Sequence, residues 1–153
     1  MGNAIEKLTG LVKAEHRYDI PFAELRDTQI EAMNERFQAR KDAIKLLGHR
    51  AGEAKIDTIR SHAEAVPLLL PHTAYKSYPE SWLMDERWDR LGKWMDTVSS
   101  HRVPAQDRSK VRDMDDWIEQ LQAQGFFVSC SSGTSGKSAM LVASQADIDF
   151  TCR

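Results

Sequence analysis

The chain is poor in the features that mark several large functional classes. Two cysteines, Cys130 and Cys152, stand in 153 residues; they cannot build a disulfide framework and lack metal-site spacing. No apolar run reaches the length needed to cross a bilayer. The longest aliphatic cluster, Val66 to Leu70, is interrupted by Pro67. A formal net charge of −2 gives no general attraction to nucleic acid or to an anionic membrane, so neither is expected as a partner. The opening Met-Gly-Asn-Ala-Ile-Glu places Glu6 where a myristoylation signal wants Ser or Thr, and it lacks the apolar core of a secretory signal. A reducing cytoplasm is the expected compartment. Neither an internal repeat nor a low-complexity tract is visible.

What is present is an ordinary globular composition, 41% hydrophobic and 29% charged. The length suits one core large enough to fold alone. Ile5, Leu8, Leu11 and Val12 lie at helical spacing near the start. From Phe22, after Pro21, the residues Leu25, Ile30, Met33, Phe37, Ile44 and Leu47 form one stripe, predicting a long scaffold helix that ends or bends near Gly48 or Gly52. A short helix is expected from Ala54 to Ala65, using Ile56, Ile59 and Ala63. Pro67 to Pro79 holds three prolines and two tyrosines, which predicts an extended crossing pressed onto the protein.

Trp82, Trp88 and Trp94 recur every six residues, a spacing that cannot keep three rings on one helical face. The coherent stripe is Met84, Trp88, Leu91, Met95 and Val98, with Trp94 on its flank. Ser99 to Arg112 is polar and locally basic through Arg102, Arg108, Lys110 and Arg112, a solvated loop or a phosphate- or partner-facing patch. Asp113, Asp115 and Asp116 crowd the first turn of a helix that Gly125 is placed to cap. Helix capping explains these carboxylates more simply than a metal or catalytic cluster. Ser144-Gln-Ala-Asp147 reads as a capping-box start to a final helix.

The informative stretch lies between them. Phe126 to Val128 leads into Ser131-Ser-Gly-Thr-Ser-Gly-Lys137, and Ala139 to Ala143 leads out. Hydroxyls, clustered backbone N–H groups and one lysine suit a polyphosphate. A Walker-type loop needs Gly at position 131, where Ser stands, and a helix directly after the lysine, where an apolar strand follows. A nucleophile elbow on Ser135 needs its last Gly at 137, but glycine comes one position early at 136 and no helix follows directly; no histidine offers itself as a partner, and Cys130 is no better a nucleophile. A ligand-free hydroxyl-rich hairpin turn is the plain alternative.

Ser131 to Lys137 resembles the phosphate-binding signature of the acyl-adenylate-forming enzymes, the AMP-binding acyl- and aryl-CoA ligase superfamily. The nearest branch is the phenylacetate-CoA ligase-like group, with its acyl-protein synthetase and coenzyme F390 synthetase relatives. The resemblance implies a predominantly helical α+β chain: helices over 1–124, then strand, loop, strand and the start of a helix over 125–153. It implies that Ser131, Ser132, Gly133, Thr134, Ser135, Gly136 and Lys137 hold the phosphates of ATP, usually with Mg²⁺. The reaction implied is attack by a small-molecule carboxylate on the α-phosphate, followed by transfer to coenzyme A or another thiol. Ser138, Ala139 and Met140 depart from the Pro-Lys-Gly that often follows the motif. The remaining family motifs lie downstream of anything in this sequence. The chain is therefore expected to be the N-terminal portion of an ATP-dependent ligase, inactive by itself and prone to self-association through an open sheet edge. The alternative is a stand-alone helical interaction module without catalysis.

Overall fold

In the computed structural model, residues 3–131 and 137–152 are described. Most of them are helical, and two strands form an antiparallel hairpin, so the class is α+β with helix predominating. Among the described residues no helix is long and apolar enough to cross a membrane. The chain divides into two compact units that meet in sequence at Leu69 and Leu70.

In the first unit, α1 (Ala4–Val12) packs on α2 (Phe22–Arg40). Asn3 caps α1 by accepting from the Ile5 N–H. The Glu35 carboxylate of α2 accepts from the N–H groups of Ala4 and Ile5 at 3.0 and 3.2 Å. A carboxylate at the positive end of the helix dipole ties the two helices together electrostatically. The long helix predicted from the apolar stripe is in fact two. α2 ends at Arg40, a turn occupies 41–44, and α3 runs Lys45–Ala54. Phe37, Leu47 and Ala51 on either side of the turn pack in one cluster with Ile59 and Leu68.

Gly48 does not end the helix; it lies inside α3. A Cβ there would stand 2.7 Å from the Lys41 carbonyl oxygen, so only glycine permits this approach. The true end is Lys55, left-handed at φ 55°, where the Ile56 N–H returns to the Ala51 carbonyl at 2.9 Å. That Schellman closure sends Ile56 into the core. It also cancels the helix expected over 54–65, of which only α4 (His62–Ala65) forms. Between them the loop backbone is served by α2: Asn34 accepts from the Ile59 N–H at 3.0 Å, and Gln38 donates to the Asp57 carbonyl.

The proline-rich segment is not extended. At the end of the first unit it makes a 3₁₀ turn at Val66–Leu68 that buries Leu68, and at the start of the second another at His72–Lys76, with Ala74 and Tyr78 buried. α5 (Ser81–Met84) stops at a second left-handed non-glycine residue, Glu86 at φ 54°, whose neighbour Arg87 donates to the Trp82 carbonyl at 2.7 Å. This break removes Met84 from the predicted stripe and leaves it exposed. α6 (Trp88–Val98) buries Trp88, Leu91, Trp94, Met95 and Val98 as the spacing required.

α7 (Met114–Ala123) starts with Asp113 accepting from the Asp116 N–H at 2.9 Å, and Gly125 follows it at φ +81°. β1 (Phe126–Cys130) pairs with β2 (Met140–Ser144) in the register Phe126 to Ser144 through Cys130 to Met140. α7 packs on β1, placing the hairpin against the helical core. α8 (Gln145–Thr151) opens with the expected Ser144–Asp147 capping box.

The two glycines of α3 separate packing from propensity. Gly48→Ala is expected to destabilise the unit by about 1–3 kcal/mol, because the Cβ overpacks a backbone carbonyl. Gly52→Ala meets nothing within 4 Å and is expected to be neutral or stabilising by up to about 1 kcal/mol. Urea unfolding of both variants checks this; equal effects would contradict the close-approach reading.

Candidate functional site

The loop that the sequence singles out begins and ends in well-formed structure. Ser131 directly follows β1; its N–H donates to the Ala139 carbonyl at 3.0 Å, and its hydroxyl accepts from the Ala139 N–H at 2.8 Å. These two bonds extend the ladder by one step and close the base of the loop. The Ser131 hydroxyl keeps its proton for a further acceptor. Ser132, Gly133, Thr134, Ser135 and Gly136 lie outside the described residues.

At the other end stands Lys137, half-buried, with its Nζ 4.4 Å from the centroid of the Tyr78 ring. The negative face of the ring attracts the ammonium. The next residue is bound by the same side chain, because the Tyr78 hydroxyl donates to the Ser138 carbonyl at 2.8 Å. Tyr78 is fully buried. Burial, with Cys130 and Glu80 nearby, pushes its phenol above the ordinary value, so the hydroxyl stays protonated and able to donate.

Tyr78 is itself fixed from behind. Trp94 meets its ring edge-on at 4.9 Å, and the Trp94 indole N–H donates to the Ser77 hydroxyl at 2.9 Å. The sequence shows Tyr78 only as one aromatic in a proline-rich run. Its role at the loop, 60 residues away in sequence, has no local signal.

A small cavity of about 120 Å³ opens here, lined by Tyr78, Glu80, Leu83, Cys130, Lys137 and Met140 among others. Cys130 borders it, but desolvation pushes its thiol up, away from the thiolate a nucleophile needs. His101 donates to Asp147 at 2.7 Å, a pairing the sequence did not reveal. The Ser144 hydroxyl also donates to Asp147, not to the histidine, so no Ser–His pair forms here. Asp147 is held below the usual carboxylate range, chiefly by the Ser144 N–H and hydroxyl.

The basic segment before α7 is largely neutralised by its own surroundings. Arg108 reaches Asp89 at 2.6 Å, Lys110 lies 3.6 Å from Asp107, and Arg112 makes a two-bond fork with Asp116 at 2.8 and 3.0 Å. Hydrogen bonds from Arg112 lower Asp116 to about 2 from 3.8. Among the described residues no cluster of three or more His, Cys, Asp or Glu is arranged to hold a metal. No protein-family model, curated protein or solved structure matches the chain.

Two outcomes follow from this geometry. Tyr78→Phe keeps the ring under Lys137 but removes the bond to Ser138, and is expected to cost about 1 kcal/mol. Tyr78→Leu removes both contacts; the ring-current shift of the Lys137 methylene protons should persist in the first variant and vanish in the second. An unshifted Lys137 in the parent protein would refute the contact. Separately, the Asp116 carboxyl carbon should titrate near pH 2. A folded value below the ordinary one means that the stabilisation from its pairing is complete above about pH 4 and lost as pH falls through about 2. A midpoint near 3.8 would contradict the fork.

Proposed function

We propose that this chain supplies the phosphate-gripping part of an ATP-dependent, carboxylate-activating ligase of the acyl-adenylate-forming type. Residues 131–137 hold the β- and γ-phosphates. The observation that carries the reading is the setting of Lys137. The motif joins two antiparallel strands, a strand and not a helix follows, and the lysine is held at the loop's end by a buried aromatic ring.

The chemistry asked of the loop is placement and charge. Lys137 contributes a cation, Ser131 and the other loop hydroxyls contribute donors, and Gly133 and Gly136 allow backbone N–H groups to approach the phosphates. Holding the two outer phosphates fixes the α-phosphorus for attack by a carboxylate oxygen, with pyrophosphate as the leaving group. Orientation of this kind raises rate without any proton transfer by the loop. Mg²⁺ fits as a companion of the nucleotide. Among the described residues Glu80 is the one carboxylate lining the small cavity, far short of a dedicated metal cage.

On this reading the acyl acceptor is coenzyme A or another thiol, and the activated substrate is a small-molecule carboxylate. The test is carboxylate-dependent ATP–pyrophosphate exchange in a protein carrying this chain with its downstream coding region. Lys137→Ala is expected to lower exchange by about 10²-fold, the scale of losing one charge-stabilising group, and Gly136→Ala to lower it as well. Exchange at the parental rate in both variants would overturn the assignment.

A further inference from the structure

The second unit holds a larger cavity, about 310 Å³, that shares no lining residue with the one beside Lys137. Its volume is near the lower end of ligand pockets, roughly 300–1,000 Å³, which suits a molecule of one or two rings. Trp88 of α6 and Trp117 of α7 stack in its wall with centroids 6.0 Å apart and planes 23° from parallel. Val103 and Pro104 form another part of that wall. Gly92 lets this strap come close, since a Cβ there would stand 3.3 Å from a Val103 methyl.

The charged lining residues are unequal. Arg108 is paired with Asp89 at 2.6 Å, while Lys93 is exposed and makes no ion pair among the described residues. Two cations against one carboxylate leave this lining with a positive excess. Trp88 adds a buried indole N–H without a hydrogen-bond partner, the one such side-chain atom among the described residues. Unpaired buried donors are uncommon in folded proteins, and this one is sealed from solvent behind the cavity wall.

The geometry points to a binding site for a flat aromatic anion, its ring between the Trp88 edge and the Val103–Pro104 strap and its negative group toward Lys93 and Arg108. This site is independent of the phosphate loop and stands whether or not that loop binds ATP.

The probe is naphthalene-1-sulfonate, with 1-naphthylmethylammonium as its cationic match. Both are titrated into the ¹⁵N-labelled chain while the four tryptophan indole N–H signals are followed. Trp88→Phe and Trp117→Phe serve to assign two of them. The sulfonate should shift the Trp88 and Trp117 signals saturably and bind at least about fivefold more tightly than the ammonium. Lys93→Glu should weaken the sulfonate several-fold. Ala105→Trp, an exposed lining position, should block binding while leaving the circular dichroism spectrum unchanged. The site is overturned by an absent or non-saturable shift, by equal affinity for the two probes, or by undiminished binding in Lys93→Glu or in folded Ala105→Trp.

Discussion

Tyr78 has no exposed surface, and each part of its side chain is committed. Its hydroxyl donates to the Ser138 carbonyl, its face carries the Lys137 ammonium, and Trp94 meets its ring edge-on. A buried phenol must find an acceptor or pay a desolvation cost of about 1–3 kcal/mol. The backbone just past the loop supplies that acceptor. The same requirement therefore fixes where β2 begins and where the loop's lysine stands. α6 holds Tyr78, and Tyr78 holds Lys137 and Ser138.

Under the proposed function, cation–π attachment is a suitable restraint for a lysine that meets phosphate. It is worth about 0.5–2 kcal/mol, enough to limit where the ammonium rests. A polyphosphate offering several negative oxygens competes readily with it. A salt bridge to a carboxylate would compete with the phosphate by charge. An aromatic face places the lysine without neutralising it.

Much of the second unit was legible in the sequence because its signals are local. Asp113 and Ser144 cap helices where their spacing says they should, Gly125 takes the left-handed position, and Trp88, Leu91, Met95 and Val98 are buried together. The hairpin follows from two apolar runs around a Gly- and Ser-rich stretch, while its register has no mark in the sequence. Two of the failures share one cause. Lys55 and Glu86 adopt left-handed backbone without being glycine, so two helix ends carry no compositional mark. Tertiary packing compensates this strain, in the first case by bringing Ile56 into the core. Gly48 misleads in the opposite sense: it looks like a breaker and serves close packing. Tyr78 and the His101–Asp147 pair act across long sequence separations, where pattern reading has no purchase.

The central claim is that Lys137 leaves Tyr78 for a phosphate. It is tested most directly by titrating Mg·ATP into the chain while following the Lys137 methylene protons by NMR. Saturable loss of the upfield ring-current shift, with nucleotide binding abolished in Lys137→Met and an adenosine control inert, is the predicted result. A Lys137 signal that stays upfield at saturating nucleotide, or binding that survives Lys137→Met, would contradict it.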